Sequence, residues 1–304
     1  MICDDEVDEA GGKGLPEGFA VLDAADGWGA FVFGCAVEDF FCGEPEVVGA
    51  GFYGDGKAVQ HLGFTRSSLK PDHLLQTPDT FIRTAPNSAP GVEFIIHAAP
   101  QLGAEFTQLT AEFQPNGALS PAPAQRFLYV LEGELTLDVE SHQYTLSEGH
   151  FAYIPEGTPH TVTAVSKSRA AIIEKPYELT STAEAPQLII GNQAEVPAAI
   201  AVPGDDALRV QLLIPDAPTH DFAVNIMTYD PGAALPMVEI HIMEHGLLML
   251  QGSGIYRLGD HWYPVQAGDF IYMAPYCPQW FGALGKQPAK YLIYKDSRRH
   301  PLGE

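Results

Sequence analysis

Two long stretches of this chain match each other at a constant offset of 119 residues, without a gap. The matched pairs are Gly133 with Gly252, His142 with His261, Tyr144 with Tyr263, Gly149 with Gly268, Phe151 with Phe270, Tyr153 with Tyr272 and Pro159 with Pro278. A repeat of this length predicts two tandem copies of one structural module.

The distribution of apolar residues predicts that both copies are built from β-strands. From Gly91 onward, short apolar runs are separated by Gly, Pro, Asn and Asp, and long segments with a period of 3.6 residues are scarce. Representative runs are 92–97, 105–112, 127–139, 151–154 and 170–174. Strands this short at this spacing indicate an antiparallel sandwich or barrel.

Composition divides the chain into four parts. Residues 1–62 have no clear period and form an unassigned N-terminal extension. Residues 63–180 form the first predicted module and residues 207–304 the second, with an Ala-, Pro- and Gly-rich linker at 181–206. The 304 residues, of which 46% are hydrophobic, are enough to fill two cores.

Three potential metal ligands, Glu239, His241 and His245, occupy odd positions near the start of the second copy. Side chains alternate between the two faces of a strand, so we expect these three to share one face of a single strand. A hairpin that returns over the following residues would bring Gln279 beside them as a fourth ligand. Two imidazoles, one carboxylate and one amide suit manganese or ferrous iron better than copper or structural zinc.

The first copy lacks most of these ligands. At the offset of 119, the equivalents of Glu239, His241, His245 and Gln279 are Ser120, Ala122, Arg126 and His160. With one potential ligand of four, we expect the first module to be metal-free and His160 to be structural.

The charge of the chain excludes some partners. Its formal net charge is −23, from 39 acidic and 16 basic residues, which disfavours binding to nucleic acid or to an anionic membrane surface. No apolar run reaches the length of a transmembrane helix. A small anionic substrate would need a local positive centre, which a bound divalent cation and a lysine would supply.

Cysteine usage and the N-terminus predict a reducing compartment. Cys3, Cys35, Cys42 and Cys277 form no metal-type pair, so we interpret them as free thiols, with a Cys35–Cys42 bridge as the alternative. Residues 1–10 are acidic and lack the features of a secretory signal, which predicts a cytoplasmic location.

Several motifs resemble one known family. Gly149-x5-Pro155-x-Gly157-x2-His160 matches the second cupin motif. The second copy adds characteristic segments at 239–248, 254–260, 262–269, 273–275 and 291–296. On these residues the chain resembles the (S)-ureidoglycine aminohydrolase family of bicupins from plants and bacteria, over roughly residues 63–302.

The resemblance implies an all-β bicupin of two tandem antiparallel β-barrels of the double-stranded β-helix or jelly-roll type. It implies a manganese (Mn²⁺) enzyme of allantoin and purine breakdown that converts (S)-ureidoglycine to (S)-ureidoglycolate and ammonia. The implied metal ligands are Glu239, His241, His245 and Gln279. The implied substrate-facing residues are Glu239, Tyr256, Gln279, Tyr291 and Lys295. Plant members are associated with the endoplasmic reticulum, which is the alternative location, and packing of cupin barrels on partners predicts a homo-oligomer.

The chemistry of this reaction suggests roles for individual residues. Expelling ammonia requires a proton at the amine and a water molecule at the carbon. We expect Glu239 to move the proton, Lys295 to bind or activate the substrate, and Tyr256 and Tyr291 to orient its ureido group.

Alternatives remain open from the residues alone. The same residues are compatible with another metal bicupin, such as a dioxygenase or isomerase, and with a non-enzymatic storage or binding bicupin. Three histidines and one glutamate are the more typical ligands of the oxygenases. At single positions, Lys295 is alternatively a strand-edge charge and Tyr256 a core residue. We expect exposed or structural roles for His142 and His261, a solvated face for Glu244 and a turn for Asp269.

Overall fold

The computed structural model describes residues 65–178, 184–215 and 217–296. These residues form strands and three one-turn 3-10 helices, Pro78–Thr80, Pro100–Leu102 and Gln193–Glu195, and they contain no α-helix. The all-β prediction is therefore confirmed. Predictions for residues 1–62, including Cys3, Cys35 and Cys42, lie outside the described residues.

The strands are short, as the apolar runs predict. The first twelve are β1 (Ser68–Leu69), β2 (His73–Gln76), β3 (Arg83–Thr84), β4 (Val92–Ala98), β5 (Thr107–Phe113), β6 (Ala118–Leu119), β7 (Gln125–Glu132), β8 (Glu134–Val139), β9 (His142–Ser147), β10 (His150–Ile154), β11 (His160–Ala164) and β12 (Ser168–Lys175). The others are β13 (Ile189–Asn192), β14 (Ala199–Val202), β15 (Asp205–Leu212), β16 (Phe222–Tyr229), β17 (His245–Gln251), β18 (Ser253–Leu258), β19 (His261–Gln266), β20 (Phe270–Met273), β21 (Gln279–Leu284) and β22 (Ala289–Asp296). All but β1, β3 and β6 contain four to eight residues.

The first module consists of two antiparallel sheets that enclose a core. The larger sheet has the order β13-β10-β7-β12-β5-β4-β3, and the smaller has the order β6-β11-β8-β9. One buried cluster joins Leu128 and Ile172 of the larger sheet to Leu137 and Val162 of the smaller. This two-layer arrangement is that of a jelly roll.

The second module repeats this arrangement. Its larger sheet has the order β1-β2-β20-β17-β22-β16-β15-β14, and its smaller sheet has the order β19-β18-β21. Strands β1 and β2 lie within the range predicted for the first module, yet β2 pairs with β20 of the second. Strand β13 lies in the predicted linker and pairs with β10 of the first module. Each larger sheet therefore includes strands from outside its own module along the chain.

The larger sheets of the two modules pack against each other. In β12, Ile172 belongs to the core of the first module and Ile173 to a third cluster between the sheets. In β22, Ile293 and Tyr294 divide in the same way between the second core and this third cluster. Phe106 stacks on Tyr294 with ring centroids 3.9 Å apart. Because both faces of these strands are buried, their sequences are almost continuously apolar.

Equivalent strands follow the offset seen in the sequence. The pairs β8 and β18, β9 and β19, and β11 and β21 each begin 119 residues apart. Gly133 and Gly252 occupy the turns before β8 and β18 with φ of 82° and 73°. A Cβ atom at either glycine would lie 2.6 Å from a backbone carbonyl oxygen, so both turns require glycine. The predicted duplication is confirmed.

Candidate metal centre and active site

A cavity of about 400 Å³ opens in the second module. Every residue predicted to bind metal or substrate lines it: Glu239, His241, His245, Tyr256, Gln279, Tyr291 and Lys295. Asn225, Met243 and Ile293 contribute to the same wall. The volume is in the range of small-molecule sites, about 300–1,000 Å³.

The segment that carries the first three of these residues is not one strand. Strand β17 begins only at His245, and Glu239 forms an isolated β-bridge with Gln279. Ile240, predicted to lie opposite the ligands, is 61% exposed, so no core supports a regular strand here. On a strand His241 and His245 would be about 13 Å apart, whereas their Nε2 atoms are 3.2 Å apart. The prediction of one shared strand face is wrong, because an irregular segment brings the side chains together.

Backbone hydrogen bonds hold this irregular segment against β21. The N–H of Glu239 donates to the carbonyl of Gln279 over 2.8 Å, and the N–H of Gln279 donates back over 3.0 Å. The N–H of Tyr276 donates to the carbonyl of His241 over 2.8 Å. Strand β21 pairs with β18 in the smaller sheet, and the bridge between Gln279 and Glu239 places Gln279 beside the irregular segment.

Three side-chain nitrogens converge at the cavity. His241 Nε2 lies 3.2 Å from His245 Nε2 and 2.7 Å from Gln279 Nε2. The Nδ1 of His245 lies 3.3 Å from the carbonyl of Tyr294, to which it donates, and this leaves a lone pair on Nε2. Burial lowers the pKa of His245 to about 3, with further contributions from His241 and Lys295. Its imidazole is therefore neutral, as a metal ligand must be.

This arrangement fits a divalent cation. A proton on His241 Nε2 would oppose the amide N–H groups of Gln279, and a lone pair there would oppose the lone pair of His245, so no tautomer satisfies both contacts. A cation between the nitrogens resolves the conflict, and a half-turn of the amide presents its oxygen. Ligand atoms about 2.1 Å from one ion at right angles lie about 3 Å apart, close to the observed separations. Glu239, the fourth predicted ligand, lines the same cavity.

Tyrosine hydroxyl groups lie next to these ligands. The hydroxyls of Tyr229 and Tyr291 are 2.7 Å apart, and that of Tyr256 makes a long hydrogen bond of 3.5 Å to Gln279 Oε1. Burial raises the pKa of all three tyrosines, and the charge of Glu239 raises it further, so the hydroxyls stay protonated. Tyr256 and Tyr291 also belong to the core of the module, as the alternative reading of Tyr256 expects.

Lys295 has a buried neighbour that the sequence analysis missed. It lies opposite His245 in the register of β22 and β17, and lines the cavity with Tyr291. In the orientation that satisfies both of its groups, the amide of Asn225 accepts from Lys295 Nζ over 3.1 Å and donates to the Val224 carbonyl over 3.0 Å. One signal was present: a polar residue in the apolar run of β16.

The chain is similar to known proteins over most of its length. Residues 110–174 and 225–294 match the Cupin domain family. The chain is 39% identical over 243 residues to "Probable (S)-ureidoglycine aminohydrolase" of Oryza sativa subsp. japonica, covering 79% of this chain and 78% of that protein. It is 37% identical over 243 residues to (S)-ureidoglycine aminohydrolase of Arabidopsis thaliana, covering 79% and 80%.

The chain belongs to the (S)-ureidoglycine aminohydrolase family. Among solved structures, that of protein Ylba from E. coli is similar, with a TM-score of 0.69 and 27% identity over 77% of this chain and 95% of that chain. The predicted bicupin fold and the predicted family are thus both confirmed.

In this member of the aminohydrolase family, the first module has a smaller cavity of about 230 Å³, built from residues equivalent to those of the second. The guanidinium group of Arg126 lies there. It donates to Glu174 over 2.6 and 2.7 Å, to the carbonyl of Ser120 over 2.9 Å and to His160 Nε2 over 2.8 Å. His160 Nδ1 donates to the carbonyl of Thr158 over 2.8 Å, which leaves Nε2 as the acceptor. A side-chain cation therefore lies among the residues that match the ligands.

Two acidic residues of this aminohydrolase family member are more buried than predicted. Asp269 does lie at a turn, but it is fully buried and accepts from Arg66 over 2.7 and 2.8 Å. Glu244 accepts from the N–H of Glu105 over 3.1 Å and from the hydroxyl of Tyr272 over 3.3 Å. Burial raises the pKa of Glu244 to about 7. The prediction of a solvated face is wrong, because Glu244 points into the interface between the larger sheets.

Other predictions for this family member concern single residues. His142 and His261 are exposed, as expected. Cys277 is a free thiol, also as expected, and is buried. Within the part of the chain that the structure describes, no helix is long and apolar enough to span a membrane.

Proposed function

We propose that this chain hydrolyses (S)-ureidoglycine to (S)-ureidoglycolate and ammonia, using manganese held by Glu239, His241, His245 and Gln279. The convergence of His241, His245 and Gln279 beside a cavity that also contains Lys295 carries the proposal. The names of the curated relatives support the choice of substrate. When bound, the cation supplies positive charge that attracts the substrate carboxylate and stabilises negative charge in the transition state.

Glu239 is suited to the proton transfer. In ureidoglycine one carbon carries an amine, a ureido group and a carboxylate. Exchange of the amine for a hydroxyl group consumes one water and releases one ammonia, so one proton must leave the water and one must reach the amine. Among the described residues that line the cavity, Glu239 has the only carboxylate. A glutamate that binds the metal only weakly can also accept this proton from water and donate it to the amine.

Lys295 supplies the second positive centre. The chain has a net charge of −23, so an anionic substrate is repelled at long range and needs local cations. Asn225 accepts from the Lys295 ammonium group and holds it at the cavity wall. The protonated hydroxyls of Tyr256 and Tyr291 then serve as donors to the ureido carbonyl.

The test is ammonia release from freshly prepared ureidoglycine by manganese-loaded protein without oxygen, together with metal analysis. The proposal expects about one manganese ion in the second module and sustained ammonia release. A requirement for oxygen would favour a dioxygenase instead, conversion without ammonia an isomerase, and a metal content near zero a storage protein.

Glu239→Gln tests the assigned proton carrier. We expect the variant to fold and to lose about 10²–10⁴-fold in turnover. Glu148→Gln, at an exposed position of the first module, is the matched control and should retain the wild-type rate. A Glu239→Gln protein with near-wild-type turnover would remove Glu239 from this role.

A further inference from the structure

We propose that Asp72, His73 and Cys277 form a second metal site, suited to zinc and separate from the cavity described above. One carboxylate oxygen, one imidazole nitrogen and the sulfur all lie within 4.8 Å of one another. None of the three residues lines the cavity of the candidate active site. Zinc bound at 2.0–2.3 Å spaces tetrahedral ligands about 3.6 Å apart, so small side-chain adjustments complete the geometry.

The fold brings the two parts of this group together from distant parts of the chain. His73 begins β2, Asp72 precedes it, and Cys277 lies in the turn before β21. The N–H of Ala274 donates to the carbonyl of Asp72 over 2.9 Å, and His73 pairs with Met273 in the sheet. Backbone contacts thus hold the ligand-bearing segments in place.

The hydrogen bonds of His73 leave one ring nitrogen facing the other ligands. Its Nε2 lies 2.9 Å from the hydroxyl of Tyr263, which in turn lies 3.2 Å from Ser68 Oγ. Its Nδ1 lies 2.9 Å from Asp72 Oδ1. Metal-binding histidines commonly use their second nitrogen to contact an oxygen in this way. A cation beside Asp72 would therefore be bound through Nδ1.

Burial gives the group one closed side and one open side. His73 and Cys277 are buried, whereas the side chain of Asp72 is 43% exposed. An ion can enter past Asp72, and water can occupy a fourth position. Gly259 packs closely here, since a Cβ atom on it would lie 3.0 Å from Asp72 Oδ2.

The ligand types separate this site from the manganese site. A thiolate favours zinc over manganese, whereas carboxylate, imidazole and amide without sulfur favour the reverse. Cys277 lies two residues before Gln279, so zinc would tie the β2 segment to the turn that leads to Gln279. We assign the ion a stabilising role at that turn, independent of the proposed aminohydrolase activity.

Cobalt is the probe, because a thiolate bound to Co²⁺ gives a near-ultraviolet charge-transfer band. The reduced full-length chain, stripped with chelator, is titrated with Co²⁺. We expect two equivalents bound and a thiolate band in the wild type. Cys277→Ser should bind one equivalent without the band, and His245→Ala should bind one equivalent and keep it. A triple variant, Cys3→Ser, Cys35→Ser and Cys42→Ser, should also keep the band.

Absence of the band in the wild type, or its survival in Cys277→Ser, would overturn the proposal. Circular dichroism establishes that Cys277→Ser is folded. If Cys277→Ser does not fold, Asp72→Asn is used instead. In that variant, zinc binding at the site of higher zinc affinity, which we assign to Asp72, His73 and Cys277, should weaken at least about 10-fold. Unchanged affinity would count against the site. The band and ammonia release are separate signals, so failure of one proposal is distinguishable from failure of the other.

Discussion

Arg126 in the first module and His245 in the second lie near the start of equivalent strands, β7 and β17, and each lines a cavity. Opposite them in the sheet register are Glu174 and Lys295. The first module thus pairs a fixed side-chain cation with a carboxylate, and the second pairs a neutral imidazole with an ammonium group. The side-chain cation therefore lies on β7 in the first module and on β22 in the second.

This difference is the basis for assigning different roles to the two modules. In the first module the guanidinium group takes the place of a metal ion, and its donors are already used by Glu174, Ser120 and His160. The residues equivalent to Asn225, Tyr256 and Tyr291 are Leu109, Leu137 and Ala170. The smaller cavity therefore lacks the polar groups that would bind a substrate. We infer that the first module is structural and that the second carries the chemistry.

Transplanting the pair of the first module into the second is the strongest way to break this comparison. His245→Arg with Lys295→Glu should recreate an internal ion pair in place of the metal. We expect ammonia release to fall at least about 10³-fold, because the substrate loses both positive centres. Metal analysis should show loss of the ion from this cavity.

A matched control separates this effect from general damage. Lys286→Met removes an exposed lysine near β22 and should leave both activity and metal content unchanged. A folded double variant that retains metal and rapid turnover would contradict the assignment of His245 and Lys295.

Arg126→Met tests the other side of the comparison. The substitution leaves Glu174 and His160 without their cationic partner in a largely buried site. We expect the free energy of unfolding to fall by about 2–4 kcal/mol, reduced from the value for a fully buried pair because Glu174 is 22% exposed. Denaturant titration measures this change.

Turnover per folded molecule should stay the same in Arg126→Met, since Arg126 does not line the second cavity. Adding Glu174→Met removes the stranded carboxylate and should restore part of the lost stability. If Arg126→Met lowers turnover without lowering stability, the first module has a catalytic role and the comparison fails.

Much of the fold follows from local sequence rules. The repeat offset makes β8, β9 and β11 equivalent to β18, β19 and β21, because the turn glycines and the alternating side chains recur at the same spacing. The pairing of β2 with the second module and of β13 with the first does not follow. Strand patterns show which residues face a core, but they do not show which open sheet edge a strand will join.

The site was predictable in its residue types and not in its local geometry. Two histidines, a glutamate and a glutamine predict a metal site wherever the backbone places them. Their convergence at one cavity depends on the irregular segment from Glu239 to Glu244. Hydrogen bonds to β21 and Tyr276 set the shape of this segment, and the alternation of side chains along a strand does not. The sequence does not single out Asn225, because one polar residue in an apolar strand is a weak signal, and it predicts only a free thiol at Cys277.

Asn225→Leu introduces the residue that the first module has at this position, Leu109. Lys295 then loses a buried acceptor, and we expect kcat/KM to fall about 10-fold with unchanged metal content. Asn225→Asp keeps an oxygen acceptor and should recover most of the rate. Steady-state kinetics on both variants makes the measurement, and equal losses in the two would show that the acceptor oxygen for Lys295 is not what Asn225 contributes.

The smallest effect, a change in the pH dependence of stability, is expected at Glu244, where the two modules differ by one ionisable group. Glu244 corresponds to Gln125, and each accepts from an equivalent tyrosine hydroxyl, over 3.3 Å from Tyr272 and 2.7 Å from Tyr153. Burial raises the pKa of Glu244 from 4.5 to about 7, so the folded chain holds this proton more tightly than the unfolded chain. Stability should therefore be greatest below about pH 4.5 as far as this group is concerned, and should fall as the pH rises towards 7.

Glu244→Gln should flatten that part of the profile and raise the free energy of unfolding at pH 8 by about 1–2 kcal/mol. The flattening should be partial, because burial also raises the pKa of Asp296 to about 7. Denaturant titrations between pH 5 and 8 compare the two proteins. Parallel curves of unfolding free energy against pH would mean that ionised Glu244 is as well accommodated as neutral Gln125. The two positions would then be equivalent despite their different charge.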